Sequence, residues 1–235
     1  MGPEATAYFF SLIIQRTRAG RDQDHVPVII DCNPRIPDRT AAITGKGPSP
    51  ARPLLAGARR LARAGADFIV VPCVSAHAFL PWVEAHAAIP FISLLDETCA
   101  QAGRIAPRLK KVGLLATTGT IRSGIFARAF GAAGMEVLVP TAAGQRRLMR
   151  AVYGKEGIKA GQKSGPPRAQ ILAACRALIR RGAQAIVAGC TEVPLAIRDE
   201  DIPVPLIEPM RIAAEVCILR AGHRLKTKNI RRGEA

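Results

Sequence analysis

Residues Gly65 to Cys73 read GADFIVVPC, and residues Gly182 to Cys190 read GAQAIVAGC. The two stretches are displaced by 117 residues and share a Gly-Ala opening, an Ile-Val centre and a closing cysteine. In each, a small-residue turn leads into a short continuous apolar run. Such a run is the mark of a strand covered on both faces in a parallel sheet.

Working outward, similar runs occur at Val26–Ile30, Phe91–Leu95, Val112–Leu115, Val137–Val139 and Val204–Ile207. Between most of them lie Ala/Leu/Arg-rich stretches with helical spacing, among them Leu54–Ala64 and Ile171–Arg181. Strands alternating with helices predict an α/β fold with parallel sheets. The same displacement carries Gly2 onto Gly119 and Phe9 onto Phe126, and IPFISLLD (Ile89–Asp96) resembles IPVPLIE (Ile202–Glu208). Matches in this order indicate a duplicated α/β unit. The second unit has a strand, KKVGLLATT (Lys110–Thr118), just before Gly119, and its counterpart would fall ahead of Met1. The first unit is therefore expected to lack its first strand and to hold three strands against four in the second.

The 235 residues suffice for one large domain or two of about 110. No apolar run approaches the ~20 residues of a membrane helix, and the amino terminus has no charged-then-apolar leader pattern, so the expected location is the cytoplasm. Six widely spaced cysteines without a CxxC pair read as reduced thiols, and no Cys/His cluster has the spacing of a metal site. The net charge of +16 raises nucleic-acid binding. The arginines are scattered, however, aromatics are 4%, and no recognition motif is present, so this is the weakest reading. Its densest cluster is the tail from Arg220 onward. A positive field also favours small anionic substrates.

In open parallel sheets ligands sit beyond the carboxyl ends of the strands, where helix N-termini present free N–H groups. Cys73 and Cys190 both fall at that end, at equivalent points of the two units. A lone cysteine there is most simply a packed thiol. If the units face each other, the two thiols do as well. A base on one side of a bound carbon and an acid on the other suit removal and return of a proton with inversion, and helix N-termini would favour the thiolate. Cys99, Cys175 and Cys217 lie in or near helical patterns, and packing is the expectation for them.

MGPEATAYFF, NPRIPDRTAAI, VPCVSAHAF, GLLATTGTIRSGIF, EGIKAG and AGCTEVPLAI, in that order along the chain, resemble the aspartate/glutamate racemase family. The resemblance implies a cofactor-independent amino-acid racemase with two pseudosymmetric α/β domains. It also implies a homodimer and an active site in the cleft between the domains. Carried over by position, Cys73 and Cys190 match the acid/base pair, and Arg39 and Lys159 match contacts to the carboxylates of a small dicarboxylic amino acid. Arg offers a bidentate fork and Lys a point charge for such groups. Ser75, Thr117, Thr118 and Thr191 stand at strand ends or helix entries as further substrate contacts. Glu192 reads either as a group that tunes Cys190 or as a helix-start charge, and His77 as a tuner of Cys73 or a local hydrogen bonder. Arg39 could equally cap a turn, and Lys159 be a solvated cation.

One departure is Val74, where the family has asparagine directly after the first cysteine. An amide lost from a buried site costs about 1–3 kcal/mol of binding or changes the substrate. The missing first strand is the second departure. The expected domains are residues 1–97, completed by a C-terminal helix over 209–225, and residues 98–208, followed by a basic tail over 226–235. Residues Asn33 to Pro50 are the candidate flap. The expected function is interconversion of L- and D-aspartate or glutamate. Alternatives are another isomerase, a hydantoin racemase or a decarboxylase on the same fold, or a degenerate ligand-binding protein.

Overall fold

A computed structural model describes residues 2–105 and 108–226. The basic tail from position 227 lies outside the described residues. The first half runs α1 (Pro3–Arg16), α2 (Arg39–Ile43), α3 (Ala51–Arg63), β1 (Ile69–Val70), α4 (Leu80–Glu84), β2 (Phe91–Ile92) and α5 (Leu94–Ile105). The second runs β3 (Lys111–Leu114), α6 (Thr118–Ser123), α7 (Ile125–Ala132), β4 (Glu136–Leu138), α8 (Ala142–Tyr153), α9 (Pro166–Arg180), β5 (Ala185–Val187), α10 (Val193–Ala196) and β6 (Leu206–Ile207). The helix α11 (Pro209–Arg220) then packs back against α1 and α5.

All strand pairs are parallel, in a four-stranded sheet of order β4-β3-β5-β6 and a two-stranded sheet β1-β2. The mixed α/β architecture with parallel sheets is the expected one. The duplication extends to single hydrogen bonds. Gly65 and Gly182 both take a positive φ, 89° and 93°, a backbone that glycine adopts without steric cost. The amide after each glycine reaches back to the helix before it, Ala66 to Leu61 and Ala183 to Leu178. One turn type thus ends α3 and α9 alike and aims β1 and β5. The ladders repeat too, since Ile69 N donates to Pro90 O and Ile186 N to Pro205 O.

The strand count corrects the sequence reading, because the first unit holds two strands among the described residues. Val26–Ile30 is extended but joins no ladder. Its apolar composition suits a strand, yet a strand is defined by a partner, and among the described residues it has none. The run read at Phe91–Leu95 is a strand only over Phe91–Ile92, because α5 starts at Leu94.

Side-chain alternation along the larger sheet builds two cores. Val112, Leu114, Ala185, Val187 and Ile207 face Phe126, Phe130 and the inner side of α11. On the other face, Ile186, Ala188 and Leu206 pack with Ile171, Cys175 and Leu178 of α9. Gly113 belongs to this second face, and a Cβ there would stand 2.7 Å from Ile186 Cδ1, 3.0 Å from Leu178 Cβ and 3.2 Å from Ala183 Cβ. Overpacking of this kind costs about 1–3 kcal/mol. Gly113→Ala is expected to lower unfolding stability by that amount in urea titration with an unchanged slope.

Candidate active site

Both cysteines leave their strands by short connections. Val71 and Pro72 follow β1, and Cys73 caps a 3-10 turn over Val74–Ala78. After β5 the chain passes through Ala188 and Gly189 to Cys190. Gly189 is required there, because a Cβ would meet Leu114 Cδ1 at 2.5 Å and Phe126 Cε2 at 3.0 Å. The two thiols line one cavity together with Arg39, Ser75, Thr117, Lys159, Thr191 and Glu192. The cavity measures about 20 Å³, room for about one water molecule.

Arg39 is the first residue of α2, which is capped by Asp38 accepting from Ala41 N at 2.8 Å. Its Nη1 donates to the carbonyls of Ile36 at 3.2 Å and Pro37 at 3.0 Å, and its buried Nε has no partner among the described residues. The guanidinium also faces Cys73. Burial opposes its charge, but Cys73 and then Asp38 favour it, and the net shift of its pKa is upward. The helix is seated against the second unit, where Thr40 Oγ1 donates to Thr117 Oγ1 at 3.2 Å. Gly119 permits this approach, since a Cβ on it would lie 2.7 Å from Thr40 Cα.

Cys190 sits in a buried charge cluster. Its Sγ donates to Glu192 Oε2 at 2.9 Å, Thr191 Oγ1 donates to the same oxygen at 3.1 Å, and Lys159 Nζ holds Glu192 Oε1. Burial works against the carboxylate charge, but Lys159 and then the donated hydrogen bonds outweigh it, and the Glu192 pKa is lowered. Burial pushes the Cys190 thiol well above its ordinary value, and the Glu192 charge pushes it further. The proton therefore rests on sulfur. This corrects the expectation that a helix N-terminus favours the thiolate here: α10 starts only at Val193, and burial, followed by the Glu192 charge, keeps the thiol protonated. Lys159 is likewise raised, since Glu192 more than offsets the effect of burial, and its ammonium lies 5.3 Å from the centroid of the Tyr153 ring.

Two residues singled out in the sequence stand apart from the cavity. Thr118 turns away, its Oγ1 accepting from Gln145 Nε2 at 3.2 Å and its N–H pointing at Met149 Sδ. Only Thr117 of the pair lines the site, where its Oγ1 also accepts from Thr120 N. His77 is buried in a backbone role: Nε2 accepts from Leu94 N at 3.1 Å, so Nδ1 carries the proton and donates to Cys73 O at 3.1 Å. It ties the cysteine backbone to the start of α5 and does not meet the sulfur. Ser75 Oγ is the group near Cys73 Sγ, at 3.5 Å. Val74 is buried on the cavity wall and offers no polar atom. The sequence reading missed Gly2, Thr120 and Tyr153, which also line the cavity. Tyr153 Oη donates to Asp38 Oδ2 at 3.4 Å across 115 residues, a contact that no local motif announces.

Burial lowers the His77 pKa from 6.5 to about 4. The unfolded chain then binds more protons than the folded one between those values. The stability this group confers is fully present above pH ~6.5 and is lost as pH falls towards 4, on the order of 3 kcal/mol in total. Denaturant midpoints measured from pH 7 to pH 4 should fall accordingly, and His77→Gln should remove that part of the slope.

Comparisons with known proteins bear on the family and the fold. A family model described as Asp/Glu/Hydantoin racemase matches residues 1–217. Among solved structures, an aspartate racemase from Picrophilus torridus superposes with TM-score 0.84 at 27% identity, covering 96% of this chain and 92% of that one. A putative Asp/Glu racemase from Yersinia pestis shares the fold, with TM-score 0.75 at 24% identity over 93% and 94% of the two chains. The broad specificity amino-acid racemase RacX of Bacillus subtilis is 28% identical over 144 residues, which are 59% of this chain and 60% of that protein. A model of that family covers nearly the whole described chain, and the chain therefore belongs to the Asp/Glu/hydantoin racemase family of isomerases.

Proposed function

We propose that this chain inverts the α-carbon of an acidic amino acid by proton transfer between Cys73 and Cys190. The observation that carries the reading is that repeat-equivalent thiols line one cavity, with a cation beside each half of it: Arg39 at Cys73 and Lys159 near Cys190. The two cations suit a substrate with two carboxylates.

The two thiols differ in their surroundings, which supports different roles for them in one direction. Cys190 holds its proton and is the acid. Cys73 is the base in this reading, with the Arg39 guanidinium beside it. As the Cys73 S–H bond forms, the Cα–H bond breaks and its electron pair moves into the substrate carboxylate. Cys190 then delivers its proton to the opposite face, and the charge left on sulfur faces Lys159. The reverse direction exchanges the roles. Glu192 is a positioning residue: it fixes the Cys190 S–H and holds Lys159.

An amino acid does not fit within 20 Å³, so binding requires α2 to move with its flanking loops. The Thr40–Thr117 and Tyr153–Asp38 hydrogen bonds are the contacts that would open. The Lys159–Glu192 pair would reorganise as a carboxylate arrives. Val74 favours a second reading, in which the chain takes a less polar substrate such as a hydantoin, because it replaces a polar contact with an apolar wall.

Single enantiomers of aspartate, glutamate, neutral amino acids and a 5-substituted hydantoin, followed by loss of optical rotation, separate these readings. Racemisation of an acidic amino acid should be fastest, and Cys73→Ala and Cys190→Ala should each slow it at least ~10²-fold, the scale of a lost general acid or base. A folded Cys→Ala variant with an unchanged rate contradicts the two-thiol mechanism. A rate confined to the hydantoin moves the substrate assignment to the second reading.

A further inference from the structure

Among the described residues, the charged side chains that line the active-site cavity are Arg39, Lys159 and Glu192. Two are cations and one is an anion. Asp38 acts on Arg39 from outside the lining, where it caps α2 and accepts from Tyr153 Oη. Glu192 is buried, and it keeps its charge because Lys159 and the hydrogen bonds it accepts outweigh burial. A buried carboxylate is costly to hold, whereas an amide or a hydroxyl can accept from a thiol without any charge. We propose that Glu192, beyond positioning Cys190, is the seat of the substrate's α-ammonium, so that the site selects a ligand with one ammonium and two carboxylates. The inference rests on the reading above that the substrate is an acidic amino acid.

The reach follows from Cys190. Its Sγ lies 2.9 Å from Glu192 Oε2, and the carbon it protonates must come within about 3–3.5 Å of that sulfur. A nitrogen bonded to that carbon is thereby brought into hydrogen-bond range of the carboxylate. A carboxylate offers about four lone-pair sites. Cys190 and Thr191 occupy Oε2, and Lys159 occupies Oε1, so an acceptor position is left. When Lys159 turns to an arriving carboxylate it frees another, and the ammonium takes its place with no charge left unpaired. Arg39, whose buried Nε has no partner among the described residues, receives the second carboxylate. Inversion moves the α-carbon between the thiols while its three heavier substituents keep their places, so one set of charges serves both enantiomers.

The repeat gives a second, independent sign. Displaced by 117, Glu192 falls on Ser75, whose Oγ stands 3.5 Å from Cys73 Sγ. A hydroxyl therefore suffices as the polar neighbour of a strand-end thiol in this fold, and the charge at 192 answers a different need. Reaction supplies that need as well. Once the α-carbon has lost its proton, the electron pair on the substrate would stand beside a buried carboxylate, and an ammonium between them offsets the repulsion. Other ligands leave a charge uncompensated. A diacid without an amine gives Glu192 no cation in exchange for Lys159, a neutral amino acid leaves one of the two cations unpaired, and an uncharged hydantoin ring answers none of the three.

The probes are two matched pairs, L-aspartate with succinate and L-glutamate with glutarate, in which the second member lacks only the amine. Each is titrated calorimetrically into the whole protein and into Glu192→Gln and Glu192→Asp. In the pair that binds more tightly, the unaltered protein should prefer the amino acid by at least ~10-fold, the scale of a buried charge left without its partner. Glu192→Gln should weaken the amino acid by a similar factor and leave the plain diacid unchanged or tighter. Glu192→Asp, which keeps the charge, should keep the preference. A carboxylate that only positioned Cys190 and Lys159 would, when replaced, shift both members alike, and that result overturns the proposal. So does an unaltered protein that binds the plain diacid as tightly as the amino acid, a comparison that needs no variant to fold. In both cases diacid binding persists and the dicarboxylate reading survives. Failure of all four ligands to bind overturns that reading, and the ammonium seat with it.

Discussion

A carboxylate buried beside a thiol sets the terms for the whole site. Glu192 cannot keep its charge in that place without Lys159, because an uncompensated buried ion costs several kcal/mol. The pair draws the 3-10 turn of Lys159 onto the end of β5. The same carboxylate accepts from Cys190 and Thr191, so the proton on sulfur, the position of the ammonium and the course of the chain after β5 are fixed together. Nothing comparable stands at Cys73, where the neighbouring charge is a guanidinium of the opposite sign. The duplication therefore yields two thiols in matching places with opposite electrostatic surroundings. An acid and a base are what an inversion needs in one direction.

The backbone repeats more faithfully than the side chains. The glycine turns, the ladder bonds to Pro90 and Pro205 and the strand-end cysteines recur at fixed displacements. At the cavity itself matched positions differ: Val74 against Thr191, Ser75 against Glu192, Pro72 against Gly189. Gly189 lets the second strand end pack flush on Leu114 and Phe126. Pro72 instead borders an apolar cavity beside β1. The half that carries the proposed base thus has the looser support, and the half that carries the proposed acid is packed on both faces of its sheet.

Most of the frame was legible because strands covered on both faces write themselves as apolar runs, and a duplicated unit writes them twice. The strand Ala185–Val187 lies at the centre of the stretch Gly182–Cys190 that announced it. Val26–Ile30 misled because composition records burial and extension but not partnership. The adjacent threonines misled for a geometric reason: at a helix start Thr117 caps inward while Thr118 points to Gln145, and nothing in the letters TT separates them. His77 read as a possible tuner because it lies four residues from Cys73, yet it grips the backbone. Tyr153 lies outside the quoted motifs, and Thr120, though inside GLLATTGTIRSGIF, is not marked off there from its neighbours. The Glu192 contact to Cys190 lay two residues away in sequence, but its consequence, a protonated sulfur, depends on burial that no motif reports.

The account rests on two thiols acting from opposite faces of one carbon, and isotope placement tests that most directly. One enantiomer of the best acidic substrate is incubated with the enzyme in D2O, and both enantiomers are separated at low conversion and examined by NMR. Two facing groups predict solvent deuterium at the α-carbon of the product enantiomer and protium in the remaining substrate. Deuterium appearing equally in both enantiomers at early times would mean one exchanging base serving both faces, and would contradict the account.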